Sequence, residues 1–334
     1  MSLIEKLITE FDQQLHNAIQ IGENIKVSRP AEEIRNIVIS GLGGSGIGGS
    51  ITKSLVFNDL EIPIEVVKSY EIPKYVDKHT LLIASSYSGN TEETLAAVAL
   101  AGVRGAKIAC VTTGGRLYSI ALAKGYDIAK MPQEEPCPRA YLGYSLIQQL
   151  YLLIHYQLIS NNYRHQLKAA YTLINQQKES IKQMAEDIAE QLHDRLPIIY
   201  TDNNLNPLAI RFQQQINENA KQFCHVNVFP EMNHNELVGW VHPQKILQNS
   251  SVVLVNSTFN NPRVNLRMKI CKEIFAKLTD TILEIDLEGN SLVEQTFYFI
   301  HLTDWVSYYM ALKNDVDPYQ IDVIDFLKAE LAKI

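Results

Sequence analysis

At 334 residues, 46% hydrophobic and 20% charged, the chain is long enough for about two domains with full cores. That excludes a disordered protein, a coiled coil and a small scaffold that needs disulfides or a metal. A net charge of −7, from 37 acidic and 30 basic residues without a basic block, lacks the footprint of a nucleic-acid binder.

The first residues, MSLIEKLITEFDQQ, alternate charge and apolar side chains at helical spacing and predict a helix over residues 2–22. They lack the apolar core of a signal peptide. Cys110, Cys137, Cys224 and Cys271 are far apart and form no CxxC pair, which fits a reducing cytosol better than a disulfide scaffold or thiolate metal site. A cytoplasmic location is expected.

Short apolar runs follow, each leading into a small polar loop and a helical pattern. Residues 34–40 (IRNIVIS) lead into GLGGSGIGGS, and residues 64–67 form a second strand. Residues 80–84 (TLLIA) lead into SSYSGNTEETLAAVALA, 107–112 (KIACVT) into TGGRLYSIALAKG, and 127–130 precede MPQEEPCPRA. Strands alternating with helices predict a parallel sheet covered on both faces. Residues 140–163 hold no Asp, Glu, Lys or Arg, but they include Gln148, Gln149, His155, Gln157, Asn161 and Asn162. A membrane span needs about 20 predominantly apolar residues, so this stretch reads as a buried core helix over 141–160. Residues 164–195 read as a polar helix with little apolar face, a connector that puts a boundary near 155–160. The pattern restarts with strands at 196–200 (LPIIY), 224–229 (CHVNVF), 251–256 (SVVLVN) and 281–285, and helices begin near Pro207, Pro262 and Leu292. The expected fold is α/β, with two domains (1–157 and 158–334), each a parallel sheet flanked by helices on both faces.

Two loops carry ligand-binding patterns. Gly41, Gly43 and Gly46 satisfy GxGxxG directly after a strand and before a helix, where free N–H groups can hold an anion. A dinucleotide site also needs an acidic residue at the end of the next strand, and Lys68 and Ser69 stand there. Close packing of strand on helix accounts for some of the glycines but not for Ser45. In the second loop, Ser86, Ser88 and Thr91 place three hydroxyls at a helix start. Capping by Ser88 or Asn90, with Glu93 as partner, would use one of these groups. A phosphate would use all of them.

The loop SYSGNTEETL resembles the sugar-phosphate loop of the sugar-isomerase (SIS) superfamily. Together with GLGGSGIGG, PRAYLGY, NENAK, NHNELVGW and a final DP…LK segment, it makes the whole chain similar to the bifunctional phosphoglucose/phosphomannose isomerase family. The resemblance implies two SIS domains, a homodimer, a sugar-phosphate substrate and no metal or other cofactor. It implies interconversion of glucose 6-phosphate and fructose 6-phosphate, with mannose 6-phosphate as a further substrate, through a cis-enediol(ate). Gly44, Ser45, Ser86, Ser88 and Thr91 would hold the phosphate. By the same resemblance, Glu218 moves the proton between adjacent carbons. Arg139, on a loop fixed by Pro136 and Pro138, stabilises the enediolate. His234 opens the ring in the neighbouring subunit's site, and Lys328 assists at the ring oxygen, with Lys313 as rival.

Each of these residues also has a plain reading. Glu218 could be a surface helix glutamate paired with Lys221 or Gln222, and Arg139 could pair with Glu134 or Glu135. His234 could be an ordinary surface or core histidine, and the lysines could be solvated. A metal site from His225, Glu231, His234 and Glu236 lacks HExxH or comparable spacing. No Thr or Ser lies in Tyr319-Gln320-Ile321, where dual-activity relatives are expected to carry a small hydroxyl residue. That departure bears on the mannose activity alone. A sugar-phosphate sensor and a nicotinamide-dependent dehydrogenase are the competing functions.

Overall fold

Strands in a sheet covered on both faces must be apolar throughout, and TLLIASS (residues 80–86) is buried at every position. In a computed structural model describing residues 1–133, 137–331 and 333, such runs build two all-parallel sheets. The chain opens with α1 (Leu3–Thr9) and α2 (Phe11–Glu23). Then come β1 (Asn36–Ser40), α3 (Gly43–Leu55), β2 (Ile64–Val67), β3 (Thr80–Ser86), α4 (Glu92–Val103), β4 (Lys107–Thr112), α5 (Gly115–Lys124) and β5 (Asp127–Lys130). Two helices follow, α6 (Leu142–His155) and α7 (Asn162–Leu192). The second half holds β6 (Leu196–Asp202), α8 (Asn206–Gln215), β7 (His225–Phe229), α9 (Gln244–Gln248), β8 (Ser250–Asn256), α10 (Pro262–Phe275) and β9 (Thr281–Asp286). It ends with α11 (Leu292–Lys313) and α12 (Asp322–Leu331).

The chain divides into two units. The N-terminal unit comprises Glu10–Gln176 with Gly289–Phe297, and the C-terminal unit comprises Met1–Thr9, Gln177–Glu288 and Tyr298–Ile334. The first sheet runs β2-β1-β3-β4-β5 and the second β7-β6-β8-β9. The second thus repeats the order of the first four strands. In the first sheet Ser40 pairs with both Val67 and Ala84, so β1 and β2 end level and β3 runs two residues further, to Ser86. The winding reverses between β1 and β3, the place where ligands gather in doubly wound sheets.

The charge-free helix is core. Residues 142–154 are all buried, and the glutamines find partners within the unit. Gln148 Nε2 donates to the Ala18 carbonyl at 2.8 Å. Gln149 donates to Ser85 Oγ at 3.3 Å and accepts from Thr52 Oγ1 at 2.8 Å. No described helix is long and apolar enough to cross a membrane.

Two expectations are corrected. The single helix over residues 2–22 breaks at Glu10, because its halves bury their faces in different units. Ile4, Leu7 and Ile8 of α1 are buried, and Glu5 accepts from the Tyr308 hydroxyl at 3.2 Å. Phe11 of α2 packs against Phe297 with ring centroids 6.4 Å apart. The second correction concerns α7, which is far from face-less. Tyr163, Leu167, Ala170, Ile174, Ile181, Ala185, Ile188 and Leu192 are all buried. Their spacing of three, four and seven residues makes a stripe along the helix.

Candidate active site

In the N-terminal unit three loops lock into one another at the carboxyl edge of the sheet. After β1 the chain enters α3 within two residues. Gly49, on that helix, allows the close packing: a Cβ there would lie 2.8 Å from Ile39 Cγ2. Gly44 sits apart from this packing, and a Cβ there would lie 3.5 Å from the Pro138 carbonyl oxygen and 3.9 Å from Arg139 Cα. Gly44 and Arg139 are therefore brought together, while Ser45 is buried beside them. Arg139 lies on a 3₁₀ turn, Pro138–Tyr141. Pro136, expected to stiffen this loop, and Glu134 and Glu135, the alternative partners of Arg139, lie outside the described residues. Lys68, not an acid, directly follows β2, with its Cε 3.4 Å from where a Cβ on Gly46 would stand. Burial lowers its pKa.

The loop after β3 is held from below. Gly89 has φ +69° and a Cβ there would lie 1.9 Å from the Gly114 carbonyl, so only glycine fits. Thr113 donates to the Tyr87 carbonyl through both N (3.2 Å) and Oγ1 (2.7 Å). Arg116 N donates to Asn90 Oδ1 at 3.1 Å. Tyr87 stacks on Tyr141 at 5.6 Å, which ties the loop to the turn that bears Arg139. The capping alternative is not what the structure shows. Thr91 occupies the N-cap of α4 without a side-chain capping bond, and its hydroxyl meets Ser86 Oγ at 2.8 Å instead. Ser88 is exposed at the loop tip. The edge thus presents the Ser86–Thr91 pair, the Ser88 hydroxyl and the first amides of a helix, a set suited to an anion.

The C-terminal unit presents titratable groups. Helix α8 ends in a π-helical turn, Ile216–Ala220, a rare register that recurs at functional sites. The turn is fixed from behind. Asn219 is buried and donates to Ser307 Oγ at 2.9 Å, and one helical turn earlier Gln215 donates to Asp304 at 2.8 Å. Arg211 pairs with the same carboxylate at 2.7 Å. Asn217 and Glu218 are left facing a cavity of about 660 Å³, which Asp317, Gln320, Ile321 and Ile324 also line. Lys221 closes the turn in a left-handed conformation, φ 53°. Its ammonium donates to the Glu218 carbonyl at 2.8 Å and the Asp317 carbonyl at 2.7 Å, clamping two walls of the cavity.

Lys328 lies on exposed α12, one turn beyond Ile324 on the same face, with Asp325 at 3.6 Å. Lys313 is instead paired with Glu190. His234 ends the 3₁₀ turn Glu231–His234 and is exposed. Two residues on, Glu236 accepts from His225 Nε2 at 3.0 Å and from Tyr200 and Asn227. Burial works against this carboxylate, yet the three hydrogen bonds and the His225 charge hold its pKa at about 2. The bond to Glu236 raises the pKa of His225 despite burial. The anchors Tyr200, Asn227 and Glu236 escaped sequence reasoning as a group, although the two-residue spacing of His234 and Glu236 in NHNE was visible. The structure brings Gly44, Ser45 and Arg139 together in one unit, and Glu218 and the Lys328 helix beside one cavity in the other.

Comparison with known proteins gives these sites a family. Residues 32–152 match the SIS domain, and residues 181–331 match the bacterial phospho-glucose isomerase C-terminal SIS domain. The bifunctional phosphoglucose/phosphomannose isomerase of Caldicellulosiruptor bescii is 40% identical over 329 residues, covering 96% of this chain and 97% of that protein. The chain belongs to the bifunctional phosphoglucose/phosphomannose isomerase family. The family member from Aquifex aeolicus is 35% identical over 309 residues, covering 92% of this chain and 93% of its own length. In fold, this family member also matches the C-terminal domain of glucosamine-fructose-6-phosphate aminotransferase from Francisella tularensis. The TM-score there is 0.74 at 18% identity, over 96% of this chain and 98% of that one.

Proposed function

We propose that the chain interconverts glucose 6-phosphate and fructose 6-phosphate, and takes mannose 6-phosphate as a second aldose, by proton transfer through a cis-enediolate. The observation that carries this reading is Glu218, presented on a π turn to a cavity of about 660 Å³. A sensor needs the phosphate loop but no proton-transferring carboxylate.

Gly44, Ser45, Ser86, Ser88 and Thr91 hold the phosphate, through amides and hydroxyls that do not titrate near neutrality. Glu218 takes the proton from one carbon and returns it to the next. Arg139 balances the enediolate charge, since a guanidinium stays protonated throughout. His234 transfers a proton at the ring, and Lys328 assists at the ring oxygen. The exposure of His234 supports a homodimer in which each subunit lends this residue to its neighbour's site. The four cysteines are all free and buried, in keeping with a cytoplasmic protein.

Turnover of fructose 6-phosphate in EDTA, with the glucose and mannose phosphates quantified separately, tests the reading. Accumulation of glucose 6-phosphate is expected. Fructose 6-phosphate that binds without yielding any aldose would return the sensor function in its place.

A further inference from the structure

A 3₁₀ turn holds its backbone weakly, because its hydrogen-bond geometry is poor. His234 ends one such turn, Glu231–His234, and a second, Glu236–Gly239, follows, yet the side chains around it are fixed. Asn233 accepts from Arg267 at 3.3 Å and donates to Cys271 Sγ at 3.1 Å. Asn235 donates to Glu231 at 2.8 Å. Glu236 is held by Tyr200, His225 and Asn227, and the Tyr200 hydroxyl in turn accepts from Trp240 Nε1 at 2.9 Å. Trp240 is packed on Phe275 at 4.5 Å. A half-buried carboxylate is costly unless its oxygens are satisfied, and here all three donors come from the strand layer, Tyr200 on β6 and His225 and Asn227 on β7. His234 is the one member of the NHNE run whose side chain faces outward with no hydrogen bond among the described residues.

We propose that Glu236 is a positioning residue: its bonds to Tyr200, His225 and Asn227 set the place of His234 for proton transfer at the sugar ring. This rests on the ring-opening role given to His234 above. Loss of a positioning bond degrades the geometry of the proton transfer and leaves phosphate affinity alone. It matters only for a substrate that has a ring to open. Fructose 6-phosphate has one, whereas 5-deoxyfructose 6-phosphate lacks the hydroxyl that closes it and is always open-chain.

The experiment compares Glu236→Gln and His234→Ala on both substrates in the full-length protein, with thermal midpoints recorded alongside. Glu236→Gln is expected to lower kcat on fructose 6-phosphate about ten- to a hundredfold at unchanged KM, as a displaced catalytic group does. On the open-chain substrate it should stay within about twofold of the parent. Equal losses on both substrates would make Glu236 merely structural and overturn the inference. Full activity of Glu236→Gln on both, with His234→Ala still impaired on the cyclic substrate alone, would overturn it while leaving the role of His234 intact. A His234→Ala variant with no such selectivity would remove the ring-opening role itself and this inference with it. Should Glu236→Gln fail to fold, Asn227→Ala removes a single donor. It should show the same selectivity with a smaller loss, and equal losses in that variant would overturn the inference as well.

Discussion

The two units share one winding but present opposite kinds of chemical groups. At the edge of the first sheet the groups presented are amides and hydroxyls, and their conformation is fixed by backbone interlocking at Gly89, Gly114 and Thr113. In the second unit the groups presented are a carboxylate, an imidazole and an ammonium, each on a short turn or the exposed last helix, and side chains do the fixing. The difference follows from the tasks proposed for them. An anion is held well by dipoles that never change charge, whereas proton transfer needs groups that can gain and lose a proton and must be aimed.

The largest test removes the proposed base. Glu218→Gln should lower kcat about 10²–10⁴-fold, the usual contribution of a positioned base, with fructose 6-phosphate affinity retained by calorimetry. Mixed with His234→Ala, itself inactive on fructose 6-phosphate, it should regain about a quarter of parent activity on that substrate after joint refolding, because half the dimers then carry one intact site of two. Mixtures that stay inactive would confine His234 to its own subunit's site.

Ser88→Ala removes one hydroxyl from the anion edge. It should raise KM for fructose 6-phosphate about tenfold, the scale of a hydrogen bond to a charged group, while kcat holds. A fall in kcat at constant KM would reverse the division of labour between the units.

The smallest effect is on stability. Glu236 is depressed from its ordinary 4.5 to about 2, so its contribution is present above about pH 4.5 and lost as pH falls toward about 2. His225 is raised from its ordinary 6.5; its contribution is present below about pH 6.5 and lost as pH rises through the raised value. The melting midpoint should therefore decline on the alkaline side, and His225→Gln should flatten that limb by about 1–2 °C, as befits a half-exposed pair. Identical alkaline limbs would show the pair to be inert.

Most of the scaffold was legible because parallel strands buried on both faces leave an unmistakable trace: TLLIA, KIACVT and SVVLVN were found where β3, β4 and β8 lie. The break at Glu10 left none, since MSLIEKLITEFDQQ is helical in pattern on both sides and only the division of its apolar face between two units separates α1 from α2. The stripe on α7 was hidden by dilution, with Ile174, Ile181 and Ile188 spread among glutamines and lysines in a 31-residue helix. At the proposed anion edge, the hydroxyls and glycines stand within two short runs, so their spacing could be read directly from the sequence. The π turn under Glu218 was invisible. Its register depends on Asn219 meeting Ser307, a residue 88 positions away, and no local propensity records that.

One consequence follows from the idle cap of α4. Thr91 turns its hydroxyl to Ser86 rather than to the amides of its own helix, so the fold leaves the start of that helix unfinished. A phosphate in the proposed complex completes it, accepting from donors that a serine or asparagine cap would otherwise have taken. Occupancy and folding are then linked, and the protein gains thermal protection from the molecule it processes, rising with the logarithm of the ratio between the cell's supply and the dissociation constant.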